Sequence, residues 1–99
     1  MPTAHRTGYT FKYQVRQYLA SKGIMCRDSG TGTAGDDLST EHVSIECKNH
    51  KSIDLAAFMD QTVKNAGTKL PVLIVKRRGK GTPQAYAVLE LCDLAELIG

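Results

Sequence analysis

The chain has 99 residues, of which 41% are apolar and 23% charged, and its net charge is +3. That is chain for one domain, residues 1–99, with an ordinary globular balance, which excludes a disordered chain and leaves no room for a second large domain. Its longest apolar run, Leu70 to Val75, is far short of the ~20 residues of a membrane-spanning helix.

Taken in chain order, residues 8 to 22 are predicted as a helix. Phe11, Val15, Tyr18 and Leu19 form one apolar stripe at helical spacing. Thr7 is the expected N-cap, and Gly23 stands where a glycine stops helices. Met1 to Arg6 shows no apolar signal-peptide core, so a cytoplasmic location is expected. Ile24 to Arg27 reads as a short strand. Asp28 to Gly35 is a glycine-rich loop without the Lys-Ser/Thr ending of a P-loop. Asp36 to Ser39 enters a second strand.

Val43 to Lys48 is the most informative strand. Side chains alternate with period two, so Val43, Ile45 and Cys47 share one face while Ser44, Glu46 and Lys48 share the other. Ile53 to Ala66 is predicted as a second helix, capped by Ser52 or Asp54 and ended by Gly67, with Leu55, Phe58, Met59, Val63 and Ala66 as its apolar stripe. Pro71 to Arg77 reads as a central strand, Arg78 to Pro83 as a basic turn, and Gln84 to Leu89 as a last strand. Leu91 to Ile98 closes the chain as a short helix with Leu91, Leu94, Ala95 and Ile98 turned inward. The order α-β-β-β-α-β-β-α predicts an α/β (α+β) fold with a central mixed sheet flanked by helices. Cys26, Cys47 and Cys92 are widely spaced and form no CxxC, so reduced thiols are expected.

Charge is segregated along the chain. Residues 1–27 carry +5, residues 28–60 carry −5, residues 61–82 carry +6 and the remainder −3. Cutting nucleic acid with metal ions requires both signs: basic groups for phosphates and carboxylates for the metal. If the second and third strands pair as a hairpin, Asp37 lies beside Glu46. A hard divalent cation relieves the repulsion of two such carboxylates. Lys48, on the face of Glu46, would then orient the attacking water and stabilise developing negative charge. Asp36 competes with Asp37 for this place. Alternation sends the two acids to opposite faces, and Asp37 is the favoured partner of Glu46.

Asp37 followed by Glu46-Cys47-Lys48, set in a helix–strands–helix–strand order, resembles the PD-(D/E)XK nuclease superfamily with its restriction-endonuclease-like core. The chain is similar to the Holliday junction resolvases of archaea and to the small resolvase-like proteins of actinobacterial phages. Gly8-Tyr9, Phe11, Val15-Arg16, Tyr18-Leu19, Gly35-Asp36-Asp37-Leu38, Ile45-Glu46-Cys47-Lys48-Asn49, Ile53-Asp54-Leu55-Ala56-Ala57, Asn65-Ala66-Gly67, Lys76-Arg77-Arg78-Gly79 and Tyr86 with Leu91 carry that likeness over nearly the full length.

The resemblance implies a Mg²⁺-dependent DNA endonuclease, with Mn²⁺ as substitute, acting as a homodimer on four-way junctions in the cytoplasm of the cell that makes it. It implies Asp37 and Glu46 as metal ligands together with the backbone carbonyl of Cys47, and Lys48 as the catalytic cation. It places Gln61 near the site from the second helix, although an ordinary exposed glutamine reads equally well there. The expected DNA contacts are Lys12 and Arg16 on the first helix and Lys76, Arg77, Arg78 and Lys80 at the basic turn. Lys12 departs from the pattern, because many members carry a glutamate there that helps with a metal. Three rival readings remain: a nuclease of this fold with another DNA substrate, a catalytically inactive DNA-binding module, and a structural protein whose acidic strand face merely faces water.

Overall fold

The computed structural model describes the backbone of residues 4–29 and 35–99, with side chains from Thr10 onward. His5, Arg6 and the centre of the glycine-rich loop fall outside the described side chains. The elements follow the predicted order: α1 (Ala4–Ser21), β1 (Arg27–Asp28), β2 (Leu38–Ser39), β3 (Val43–Lys48), α2 (Leu55–Ala66), β4 (Leu70–Val75), β5 (Tyr86–Val88) and α3 (Leu91–Ile98), with a 3₁₀ turn at Thr82–Gln84.

The sheet runs β1-β2-β3-β4-β5. β1, β2 and β3 form an antiparallel meander, β3 and β4 are parallel with α2 as the crossover, and β5 returns antiparallel. A parallel pair needs a crossover of this kind, whereas the meander needs only short turns. The α/β character of the chain therefore rests on one step, β3-α2-β4.

α1 ends as its sequence dictates. Gly23 has φ +82°, Gly23 N–H donates to Ala20 C=O at 3.0 Å, and Ile24 N–H donates to Leu19 C=O at 2.9 Å. These are the two bonds of a Schellman stop, which a left-handed glycine permits. Its start differs from expectation. The helix begins at Ala4, so Thr7 lies within it and is not its cap. α2 is capped by Asp54, whose Oδ1 accepts from Ala57 N–H at 3.1 Å.

The helices cover opposite faces of β3. On one face Phe11 and Val15 of α1 pack with Cys26, Leu38 and Ile45, and Val43, Cys47, Val72 and Ile74 flank them. On the other, α2 lies over Ser44, Glu46, Leu73 and Val75, and its fully buried residue is Thr62. The predicted apolar stripe of α2 is therefore rotated. Leu55 and Val63 stay exposed while Thr62 and Ala66 are buried. The surface beneath is partly polar, and a buried polar group needs partners that leucine and valine lack.

α3 also departs from expectation. Leu91 is 78% and Ile98 77% exposed, and Leu94 and Leu97 are open to solvent as well. α1 and α2 pack on the two faces of β3, and α3, which follows β5 at the edge of the sheet, leaves Leu91, Leu94, Ala95 and Ile98 exposed instead of inward. No described helix is long and apolar enough to cross a membrane.

Candidate active site

Leu38 pairs with Ile45 and Ser39 with Ser44 in the antiparallel register of β2 and β3. One step further along that register sets Asp37 opposite Glu46. The chain holds it there: Asp37 N–H donates to Ile45 C=O at 3.0 Å, and Asp37 Oδ2 accepts from Cys47 N–H at 2.8 Å. Among the described residues no hydrogen bond engages Asp37 Oδ1.

Glu46 is 3% exposed. Its Oε1 accepts from Asn65 Nδ2 at 3.2 Å, and the same amide donates to Gly35 C=O at 3.1 Å. Asn65 thus clasps the end of the glycine-rich loop to the carboxylate. Burial, and next the negative charge of Asp37, push the Glu46 carboxyl up to about 7, and the bond from Asn65 and the charge of Lys48 only partly oppose them. A carboxyl raised in this way stands poised at neutral pH, a condition that clusters at functional sites.

Asp36 corrects the sequence expectation. It does not point away from Glu46: its Oδ2 accepts from Ser44 Oγ at 2.7 Å and its Oδ1 from Ser29 Oγ at 2.8 Å. Ser44 shares the Glu46 face of β3, so both acids reach that face. Asp36 precedes the first paired residue of β2, where ladder alternation no longer governs its direction. It raises the Glu46 carboxyl less than Asp37 does.

Lys48 lies on the same face at the end of β3. Its Nζ sits 5.1 Å from the Phe58 ring centroid, within cation–π range, and the His50 ring approaches Phe58 from 5.1 Å. Just past the end of the strand, Asn49 Oδ1 is buried with no hydrogen-bond partner among the described residues. Gln61 is exposed on α2. The residue of α2 bonded to Glu46 is Asn65, four positions on. Sequence reasoning missed it, although Phe58, Thr62, Asn65 and Ala66 recur at spacings of four, three and one along a single helical face.

The basic residues separate into two groups. Lys12 is only 4% exposed, and its Nζ lies 3.0 Å from Asp28 Oδ1. Its expected role as a DNA contact is corrected: the ammonium is held inside an ion pair beneath α1. Arg16 is about half exposed, 4.0 Å from the other oxygen of Asp28. Arg77, Arg78 and Lys80 are exposed on the turn after β4. Lys76 N–H donates to Lys48 C=O at 3.0 Å, which sets the turn beside the end of β3. Lys76 Nζ rests 5.6 Å from the Phe11 ring centroid and the Arg77 guanidinium 5.5 Å from that of Tyr86.

The thiols carry no visible chemistry. Burial raises Cys26, and burial with Asp37 and Glu46 raises Cys47 strongly, so both favour the neutral form.

Asp37, Glu46 and the Cys47 backbone offer hard oxygen donors, the kind Mg²⁺ takes. A crowded pair of carboxylates with unengaged oxygens is a fitting donor set for such an ion. Asp36, Asp37 and Glu46 do not bring three ligand atoms within 4.8 Å of one another; among the described residues Glu90, Cys92 and Asp93 alone do so, exposed at the start of α3. No family model, curated protein or solved structure matches the chain.

Proposed function

We propose that the chain is a metal-dependent DNA endonuclease of the PD-(D/E)XK type, best fitted to resolving four-way DNA junctions as a homodimer. One observation carries the reading: a buried glutamate, an aspartate opposite it in strand register and a lysine two residues on all meet at one end of β3.

Asp37, Glu46 and the carbonyl of Cys47 would hold Mg²⁺, or Mn²⁺ in its place. The bound ion would supply Lewis-acid activation of a phosphodiester and of water. Lys48, whose ammonium lies over the Phe58 ring, would orient the water and offset the charge growing on the phosphate. Asn65 would fix the Glu46 carboxylate. Arg77, Arg78 and Lys80 would grip phosphates, and binding would weaken as salt rises.

A second reading, a catalytically inactive DNA-binding module, draws on Lys12. A cation paired with Asp28 occupies the α1 position where the family often carries an acid.

Cleavage of a synthetic four-way junction, with linear duplex alongside, decides between the readings. Symmetric cutting in Mg²⁺, abolished by EDTA and slowed at least ~10²-fold by Lys48→Ala, is the expected result. Junction binding without cutting would establish the inactive module. Equal cutting of junction and duplex would keep the enzyme and remove the junction preference.

A further inference from the structure

α3 carries Leu91, Leu94, Leu97 and Ile98 exposed, together with Glu90, Asp93 and Glu96 and no cation. An unpartnered apolar side on an ordered helix marks an interaction surface. The described part of the molecule also holds its counterpart. A groove of about 380 Å³ lies between the start of α2 and the sheet edge, with Ile53, Leu55, Val75, Tyr86 and Val88 as its apolar lining. Lys51, Lys76, Arg77 and Arg78 border it, and no acid does.

We propose that α3 of one copy seats in this groove of a second copy, and reciprocally, so that the chain forms a two-fold dimer. Apolar side chains fill an apolar lining, and three carboxylates meet a basic rim of opposite sign. The chain's own α3 is a poor occupant. Only Leu89 and Glu90 join Val88 to α3, a reach of about 10 Å, and in the structure Leu91, Leu97 and Ile98 stay exposed instead of folding back over β5. The same shortness places helix and groove side by side, and two adjacent surfaces, each complementary to the other, close under a two-fold axis without leaving an open end.

The interface deepens the dimer named in the functional reading but needs neither metal nor DNA, so its test is read without either. Sedimentation equilibrium of the full chain should give twice the 10.8 kDa monomer mass. The pair Leu97→Glu with Ile98→Glu on α3, and separately Ile53→Glu with Leu55→Glu in the groove, should each weaken association at least ~10-fold. All four residues are exposed, so the variants should keep the wild-type circular dichroism. Mixed together, the two variants should associate again, because one intact helix still meets one intact groove. A monomeric wild-type chain would overturn the proposal and give the groove to another occupant. So would a dimer indifferent to both variants, or two monomeric variants that fail to recombine. Metal-dependent cutting is read separately in the cleavage assay, so a failed interface and a failed nuclease reading remain distinguishable.

Discussion

Val43, Ile45 and Cys47 on one face of β3 alternate with Ser44, Glu46 and Lys48 on the other, yet the two faces are built for opposite ends. The α1 face is a closed apolar core, where Phe11, Leu38 and Ile45 are almost wholly removed from water. Their burial stabilises the fold at roughly 25 cal/mol per Å² of apolar surface. The α2 face, only a strand's thickness away, buries Glu46, Ser44 and Thr62 beside Leu73 and Val75. Thr62 Oγ1 is satisfied by donating to Phe58 C=O at 2.7 Å, and Ser44 by donating to Asp36. Among the described residues Glu46 has one modest hydrogen bond and a like-charged neighbour. The contrast teaches where the molecule holds its structure and where it gives stability up. Unfavourable burial of a carboxylate next to another is hard to explain as packing, and it is what a cation site requires.

Three changes sharpen or break this contrast. The largest effect is expected on the apolar face. Phe11→Ala should cost about 4 kcal/mol, read as a lower urea midpoint with unchanged slope. A loss below ~1 kcal/mol would mean that the α1 face is not the anchor.

The second change acts in the opposite direction. The Glu46 carboxyl stands at about 7 in the folded chain against an ordinary 4.5. Between these values the native state retains a proton that the unfolded state releases. Stability from this group is therefore complete below about 4.5 and is lost as pH rises through about 7. The full difference is about 3 kcal/mol. Glu46→Gln keeps an acceptor for Asn65 and removes the titration. It should be more stable than the wild type at pH 8, match it near pH 4 and show no response to added Mg²⁺, while the wild type gains thermal stability from the ion. A Glu46→Gln chain less stable at pH 8 would place this glutamate among structural residues.

The smallest effect is expected at the clasp. Asn65→Ala removes the hydrogen bond that favours the charged carboxylate, so Glu46 should titrate at still higher pH, with stability reduced by about 1 kcal/mol. Carboxyl-carbon NMR titration would show the shift. An unmoved midpoint would mean that the amide serves only Gly35.

The basic ion pair beneath α1 shows how position, rather than residue type, assigns a role. By its sequence Lys12 is one cation among several on a basic helix. Phe11 anchors the buried side of α1, and its neighbour Lys12 turns inward with it to meet Asp28, a residue 16 positions away. Arg16, one turn on, stays half in solvent.

Local pattern alone determined a good deal here: the order of helices and strands, the bounds of β3 and α3, the stop at Gly23, and the shared face of Glu46 and Lys48. Those features follow from periodicities of 3.6 and two and from backbone freedom, which neighbouring residues fix. Pairing Asp37 with Glu46 was legible too, because a hairpin register extends from one strand to the next. Tertiary structure alone decided which side of α2 faces the sheet, that Asn65 rather than Gln61 reaches Glu46, that Asp36 joins the same face, and that Lys12 is spent on Asp28. In each case the deciding partner lies on another element, and no spacing within one element can reveal what a distant element presents to it.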